Sequence, residues 1–168
     1  MKVESINPFI ESVIETFKNM VDCPVKVGKP IVTKDDDDSD DIIGVIGMTG
    51  TSKGIVAVKF PVQTALKSVG KMVGMEFKKI DPSIIDGVGE LINIIAGNAK
   101  VKFEGQRISL SLPTVVRGNM YKLNNLTGAV FLTLPFTSDV GSFELLVSFK
   151  STEEPAEKKE AAHASANS

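Results

Sequence analysis

Apolar residues recur at helical spacing in two widely separated stretches of the chain. From Asn7 to Val21 they fall at Phe9, Ile10, Val13, Ile14, Phe17 and Val21, three or four apart, which predicts an amphipathic helix. Asn7 reads as its N-cap, with Pro8 at the first helical position. The same punctuation opens the stretch from Asp81 to Lys102, where Asp81 is the cap and Pro82 follows it. At about 100° per residue, Ile84, Val88, Leu91 and Ile95 then lie within roughly 60° of one another and form a core-facing stripe. A shorter helix over Val62–Val73 carries Leu66, Val69 and Val73 on one face and stops near Gly74.

Between the helices the period shortens to two. Extended segments are predicted over residues 25–33, 42–49 and 54–60, and again over 107–117, 127–134 and 142–150. In the second set Ile108, Leu110 and Leu112 alternate along the chain, as do Phe143, Leu145, Val147 and Phe149. Each half thus reads helix, strand, strand, strand. Such a pseudo-repeat predicts an α+β fold with pseudo-twofold symmetry, its helices packed on a mixed or antiparallel sheet. Superimposing the two helix starts aligns Thr16 with Glu90, Phe17 with Leu91 and Asn19 with Asn93. Residues 1–150 read as one domain. Residues 151–168, rich in Ala, Glu, Lys and Ser without core residues, read as a disordered tail.

Composition narrows the chemistry. At 168 residues with 42% hydrophobic content the chain can bury one core. A net charge of −2 and no basic stripe with interleaved aromatics argue against nucleic acid. The longest apolar run, Ile42 to Met48, falls far short of a membrane span. A single cysteine, Cys23, excludes an internal disulfide framework and fits a cytoplasmic protein; beside Pro24 and without a histidine partner, it reads as a packing residue. The one histidine, His163, lies in the tail, so a histidine triad or metal cage in the body is excluded by inventory. The acidic run Asp35 to Asp41 lacks the glycine and terminal glutamate of a calcium loop and reads as a solvated loop. Gly47 to Gly54 lacks phosphate-loop spacing and reads as a hairpin turn.

What remains is the polar face of the 81–102 helix. Glu90, Asn93, Asp86 and Gly97 cluster opposite the apolar stripe, within roughly 60° around the axis. A carboxylate and a carboxamide one turn apart can project together from a surface, and glycine lets another backbone come close. Periodicity alone is equally satisfied by an ordinary solvated helix face. Asparagine cannot serve as a general base, but it can accept a hydrogen bond from water and donate one to a phosphoryl oxygen. That is enough where the bond is already labile and water needs only aiming, as in hydrolysis of an acyl phosphate.

The string Gly89-Glu90-Leu91-Ile92-Asn93-Ile94-Ile95-Ala96-Gly97-Asn98-Ala99-Lys100 resembles the corresponding helix of the CheX branch of the CheC/CheX/FliY phosphatases, close to GEhxNhhhGxxK with h apolar. The order of elements resembles that family over about residues 5–150. The resemblance implies a chemotaxis phosphatase that removes the phosphoryl group from the phospho-aspartate of a CheY-type response regulator. It implies catalytic roles for Glu90 and Asn93: Asn93 would orient the attacking water, and Glu90 would pair with the regulator's active-site lysine. It also implies that Asp86, Gly89 and Gly97 lie on the docking face. No cofactor or metal is then expected on this chain itself, since magnesium would come with the phosphorylated partner. One site per chain is implied, because Thr16 stands where the first helix would need a carboxylate. CheX-type members pair into homodimers, and an edge strand over 127–134 or 142–150 is the expected contact. Asp86 departs from the pattern, since CheC-type members often have serine there. The alternatives left open are a receiver-binding module without catalysis and a structural dimer.

Overall fold

A computed structural model of the chain describes residues 5–32, 40–118 and 130–151. Among these residues, one eight-stranded sheet carries three α-helices. In chain order the elements are α1 (Asn7–Thr16), continued by a π-turn (Phe17–Val21); β1 (Val25–Val27); β2 (Ile31–Val32); β3 (Asp41–Gly50); β4 (Ser52–Pro61); α2 (Val62–Val73); α3 (Pro82–Lys102); β5 (Ile108–Leu110); β6 (Thr114–Gly118); β7 (Leu132–Ser138); and β8 (Phe143–Ser151). Strand order is β1-β7-β8-β4-β3-β5, with β2 also on β7 and β6 also on β3, and every pairing is antiparallel.

That order is a pseudo-twofold. The axis passes between β4 and β8, exchanging the β3–β4 hairpin with β7–β8 and the β1–β2 edge with β5–β6. Each half's edge strands therefore add to the hairpin of the other half, so neither half makes its sheet alone. The inward positions alternate as the pleat requires. Ile42, Ile46 and Met48 of β3, Val56, Val58 and Phe60 of β4, and Phe143, Leu145, Val147 and Phe149 of β8 all join the helices in one buried core. Phe143 stacks on Phe17 at 4.5 Å and on Phe136 at 5.2 Å between ring centroids, which ties the first helix to the second hairpin.

Several local expectations change. Asn7 is the first helical residue, not the cap; Ile6 is the N-cap, with no side-chain capping bond, and its carbonyl accepts from Phe9 and Ile10. Ile6 is buried, so the chain enters the helix anchored by packing. The predicted strands over 25–33 and 107–117 are each interrupted, at Gly28-Lys29-Pro30 and at Ser111-Leu112-Pro113, because proline has no N–H for the ladder. Leu112 leaves the stripe begun by buried Ile108 and is 87% exposed.

Strands β7 and β8 are not sheet edges. β8 lies between β4 and β7, and β7 is flanked by β1 and β2; among the described residues, the open edges are β1–β2 and β5–β6. The last acid of the acidic run, Asp41, opens β3, buried and 3.2 Å from Lys59 Nζ. Asp40 pairs with Arg117 at 3.2 Å. Residues 35–39, the tail beyond 151, and the strand start at 127–129 lie outside the described residues. Cys23 is buried, as a packing residue should be. Among the described residues, no helix is long and apolar enough to cross a membrane.

Candidate active site

Helix α3 is fixed along its length. The Asp81 carboxylate accepts from the Ile84 N–H at 3.1 Å, capping the first turn, and Pro82 follows where no N–H is needed. Ile84, Val88, Leu91, Ile92 and Ile95 are fully buried, each contributing about 1.5–3 kcal/mol relative to exposure. Glycine brings the helix close to both of its supports. A Cβ at Gly44 of β3 would stand 3.0 Å from Ile92 Cγ2, and one at Gly87 would stand 2.5 Å from Val69 Cγ1 of α2. At the C-terminal end, Lys102 reaches α1, 2.9 Å from Glu15 and 3.4 Å from Glu11. The Glu15 hydrogen bond leads the effects that hold its pKa above the ordinary lysine value, against some desolvation. Phe103 then meets Phe9 edge-on at 5.4 Å.

On this platform Glu90, Asn93 and Asp86 are exposed. Among the described residues none of the three makes a side-chain hydrogen bond or ion pair. A three-residue step on a helix separates Cβ atoms by about 5–6 Å, so the Glu90 and Asn93 side chains reach outward side by side. Neither is used by the fold.

The glycines divide. Gly97 lies on the open face, and a Cβ there would meet nothing within 4 Å. Gly89 is buried on the flank of α3 turned to β6, where a Cβ would lie 3.5 Å from Val115 Cγ2 and 3.9 Å from Pro113 Cγ. The first helix presents no exposed carboxylate at the position of Glu90. Thr16, aligned with Glu90, is buried, and Asn19 sits exposed in the π-turn. Among the described residues, no three of His, Cys, Asp and Glu gather into a metal-holding group.

Residues 42–137 match the family model described as chemotaxis phosphatase CheX. The chain belongs to the CheX family. It is 34% identical over 155 residues to the CheY-P phosphatase CheX of Thermotoga maritima, covering 90% of this chain and 99% of that relative. Among solved structures, a CheC-like superfamily protein from Shewanella sp. PV-4 superimposes with a TM-score of 0.79 at 31% identity, covering 90% of this chain and 100% of that one. The CheX of Desulfovibrio desulfuricans gives 0.78 at 26% identity over 88% of this chain and 100% of its own. The fold also matches that of one chain in the structure of the CheX–CheY–BeF3–Mg complex from Borrelia burgdorferi, with a TM-score of 0.76 at 21% identity over 89% of this chain and 100% of that one. The antiparallel sheet and its helices are thus those of the CheC/CheX fold.

The sequence pattern located Glu90, Asn93, Asp86 and Gly97 on one face. It did not locate the bulge at Ser111-Leu112-Pro113 beside that face. The signal for it was Pro113, which interrupts an otherwise alternating run.

Proposed function

We propose that this chain hydrolyses the phospho-aspartate of a CheY-type receiver, with Asn93 aiming water and Glu90 fixing the dock. One observation carries it: Glu90 and Asn93 stand a turn apart on a rigid helix, exposed and free of bonds to the described fold. Membership of the CheX family and the activity named for the Thermotoga maritima relative support the same reading.

In the proposed step, the Asn93 carboxamide oxygen accepts a hydrogen bond from a water molecule. The water oxygen attacks phosphorus in line while the bond from phosphorus to the aspartyl oxygen breaks. Inorganic phosphate and a free carboxylate result, with the water's second proton passing to phosphate or solvent. Asparagine takes no proton. Its contribution is position, which is what a loose phosphoryl-transfer transition state needs. Glu90 would pair with a cationic side chain of the receiver, and magnesium would be held by the receiver's own acidic pocket. A homodimer of this chain would use an open edge such as β1–β2, where Ile31 and Val32 are exposed.

The test is phosphate release from a phosphorylated CheY-type receiver of the same cell, with magnesium. Asn93→Ala should lower kcat by about 100-fold and leave binding intact, whereas Glu90→Ala should chiefly raise KM. A native chain that binds the receiver without accelerating release would be a binding module. No phosphorylation-dependent binding at all would leave a structural role.

A further inference from the structure

The edge formed by β5 and β6 carries one extra residue. Between the pairs Met48–Leu110 and Val45–Thr114, β3 supplies two residues while the edge supplies Ser111, Leu112 and Pro113. Such a bulge bends the strand and re-aims a side chain. Here it is held firmly. Ser111 N–H donates to the Gly47 carbonyl at 2.9 Å, and Gly47 N–H donates back to Ser111 Oγ at 2.9 Å. Ser111 Oγ–H donates to the Leu112 carbonyl at 2.9 Å. Leu112, at the summit, is the most exposed large hydrophobic side chain among the described residues.

The pseudo-twofold provides an internal control. Between Val27–Phe136 and Ile31–Thr133, β7 again supplies two residues and the edge three, Gly28, Lys29 and Pro30. The bulge and its proline are kept in both halves, but Lys29 stands where Leu112 stands. The lysine accompanies the helix in which Thr16 is buried. The leucine accompanies the helix that presents Glu90 and Asn93.

Pro113 and Val115 flank Gly89. On α3 Gly89 is about 40° around the axis from Asn93 and about 60° from Asp86, so the bulge rises along that flank of the face. A specific interface covers roughly 800 Å² on each partner, a patch about 30 Å across. A protein that brings a phosphoryl group to Asn93 therefore also covers the bulge.

Resting on the proposed function, we infer that Leu112 is an apolar docking residue for the phosphorylated receiver, filling a hollow beside the receiver's phosphoryl pocket. Exposed leucine on a hydrogen-bonded bulge gains nothing for the isolated fold. Burial against the receiver removes its side chain from water and tightens docking without touching the reacting atoms.

The experiment is steady-state phosphate release from the same receiver by the full chain and its Leu112→Ser, Leu112→Met and Asn93→Ala variants. Sedimentation equilibrium is run on each. Leu112→Ser should raise KM about tenfold at unchanged kcat, and Leu112→Met should stay within about twofold of the native KM. If Asn93→Ala lowers kcat about 100-fold while Leu112→Ser leaves KM unchanged, or lowers kcat alone, the inference is overturned and the proposed function stands. A lower mass for Leu112→Ser would assign the residue to contact between copies and overturn it as well. If Asn93→Ala keeps full turnover, the proposed function itself fails and takes the docking role with it.

Discussion

Gly87 and Val69 mark the crossing of α3 over α2: a methyl group at residue 87 would stand 2.5 Å from Val69 Cγ1 and 2.7 Å from Cγ2. Valine is branched at Cβ and stiff about χ1, so it cannot swing aside. The helix would have to lift. Gly87→Ala should therefore cost about 1–3 kcal/mol through overpacking, reduced by up to about 1 kcal/mol of improved helix propensity. The midpoint of denaturant unfolding reads the difference; an unchanged midpoint would mean the crossing is looser than described.

Gly97 predicts the opposite sign. It lies within α3, and a methyl group there meets nothing. Gly97→Ala should raise stability by about 0.5–1 kcal/mol. If the open face docks a partner closely, the same change should raise KM for the phosphorylated receiver. A more stable variant with native KM would show that the backbone at 97 is not approached.

Asp86 places a second exposed carboxylate on the face of Glu90. A receiver whose phosphorylated pocket is acidic would be repelled by it. Asp86→Ser should lower KM a fewfold at low ionic strength. Screening should shrink that gain as salt approaches physiological strength, where charges act over about 8 Å. A gain that does not depend on salt would point to shape and not charge.

Lys102 clasps α1 through Glu15 and Glu11, and its folded pKa lies above the ordinary 10.5. A raised lysine pKa means the charged form is favoured by folding. Its contribution is fully present below 10.5 and fades as pH rises through the higher folded value. Lys102→Met should lower Tm slightly at pH 7–9, and the gap from the native chain should close in strongly alkaline solution. A Tm gap of constant size across that range would show that the lysine acts through its alkyl stem and not its charge.

Local patterns were legible where one element decides its own state. The stripe Ile84, Val88, Leu91 and Ile95 is buried as its spacing implies, Asp81 caps α3, and α2 spans Val62–Val73 and stops at left-handed Gly74. Leu112 shows the limit. Alternation placed it with Ile108 and Leu110, yet proline at 113 and a hydrogen-bonded partner at Gly47, 64 residues from Ser111, turn it outward. Gly89 shows a second limit. It reads as part of the motif, but which flank of the helix meets β6 depends on packing.

Neighbouring residues specify the helix that carries Glu90 and Asn93, the polar face they share, and the strand segments that support it. Periodicity and capping act within a few residues, so they are written in neighbouring letters. Long-range packing settled which strands form the sheet edges, where Leu112 points, and that Thr16 of the first helix is buried where Glu90 of the other is exposed. Those outcomes depend on pairing between residues far apart in the chain, where each half completes the sheet of the other, and no local pattern specifies such a partner.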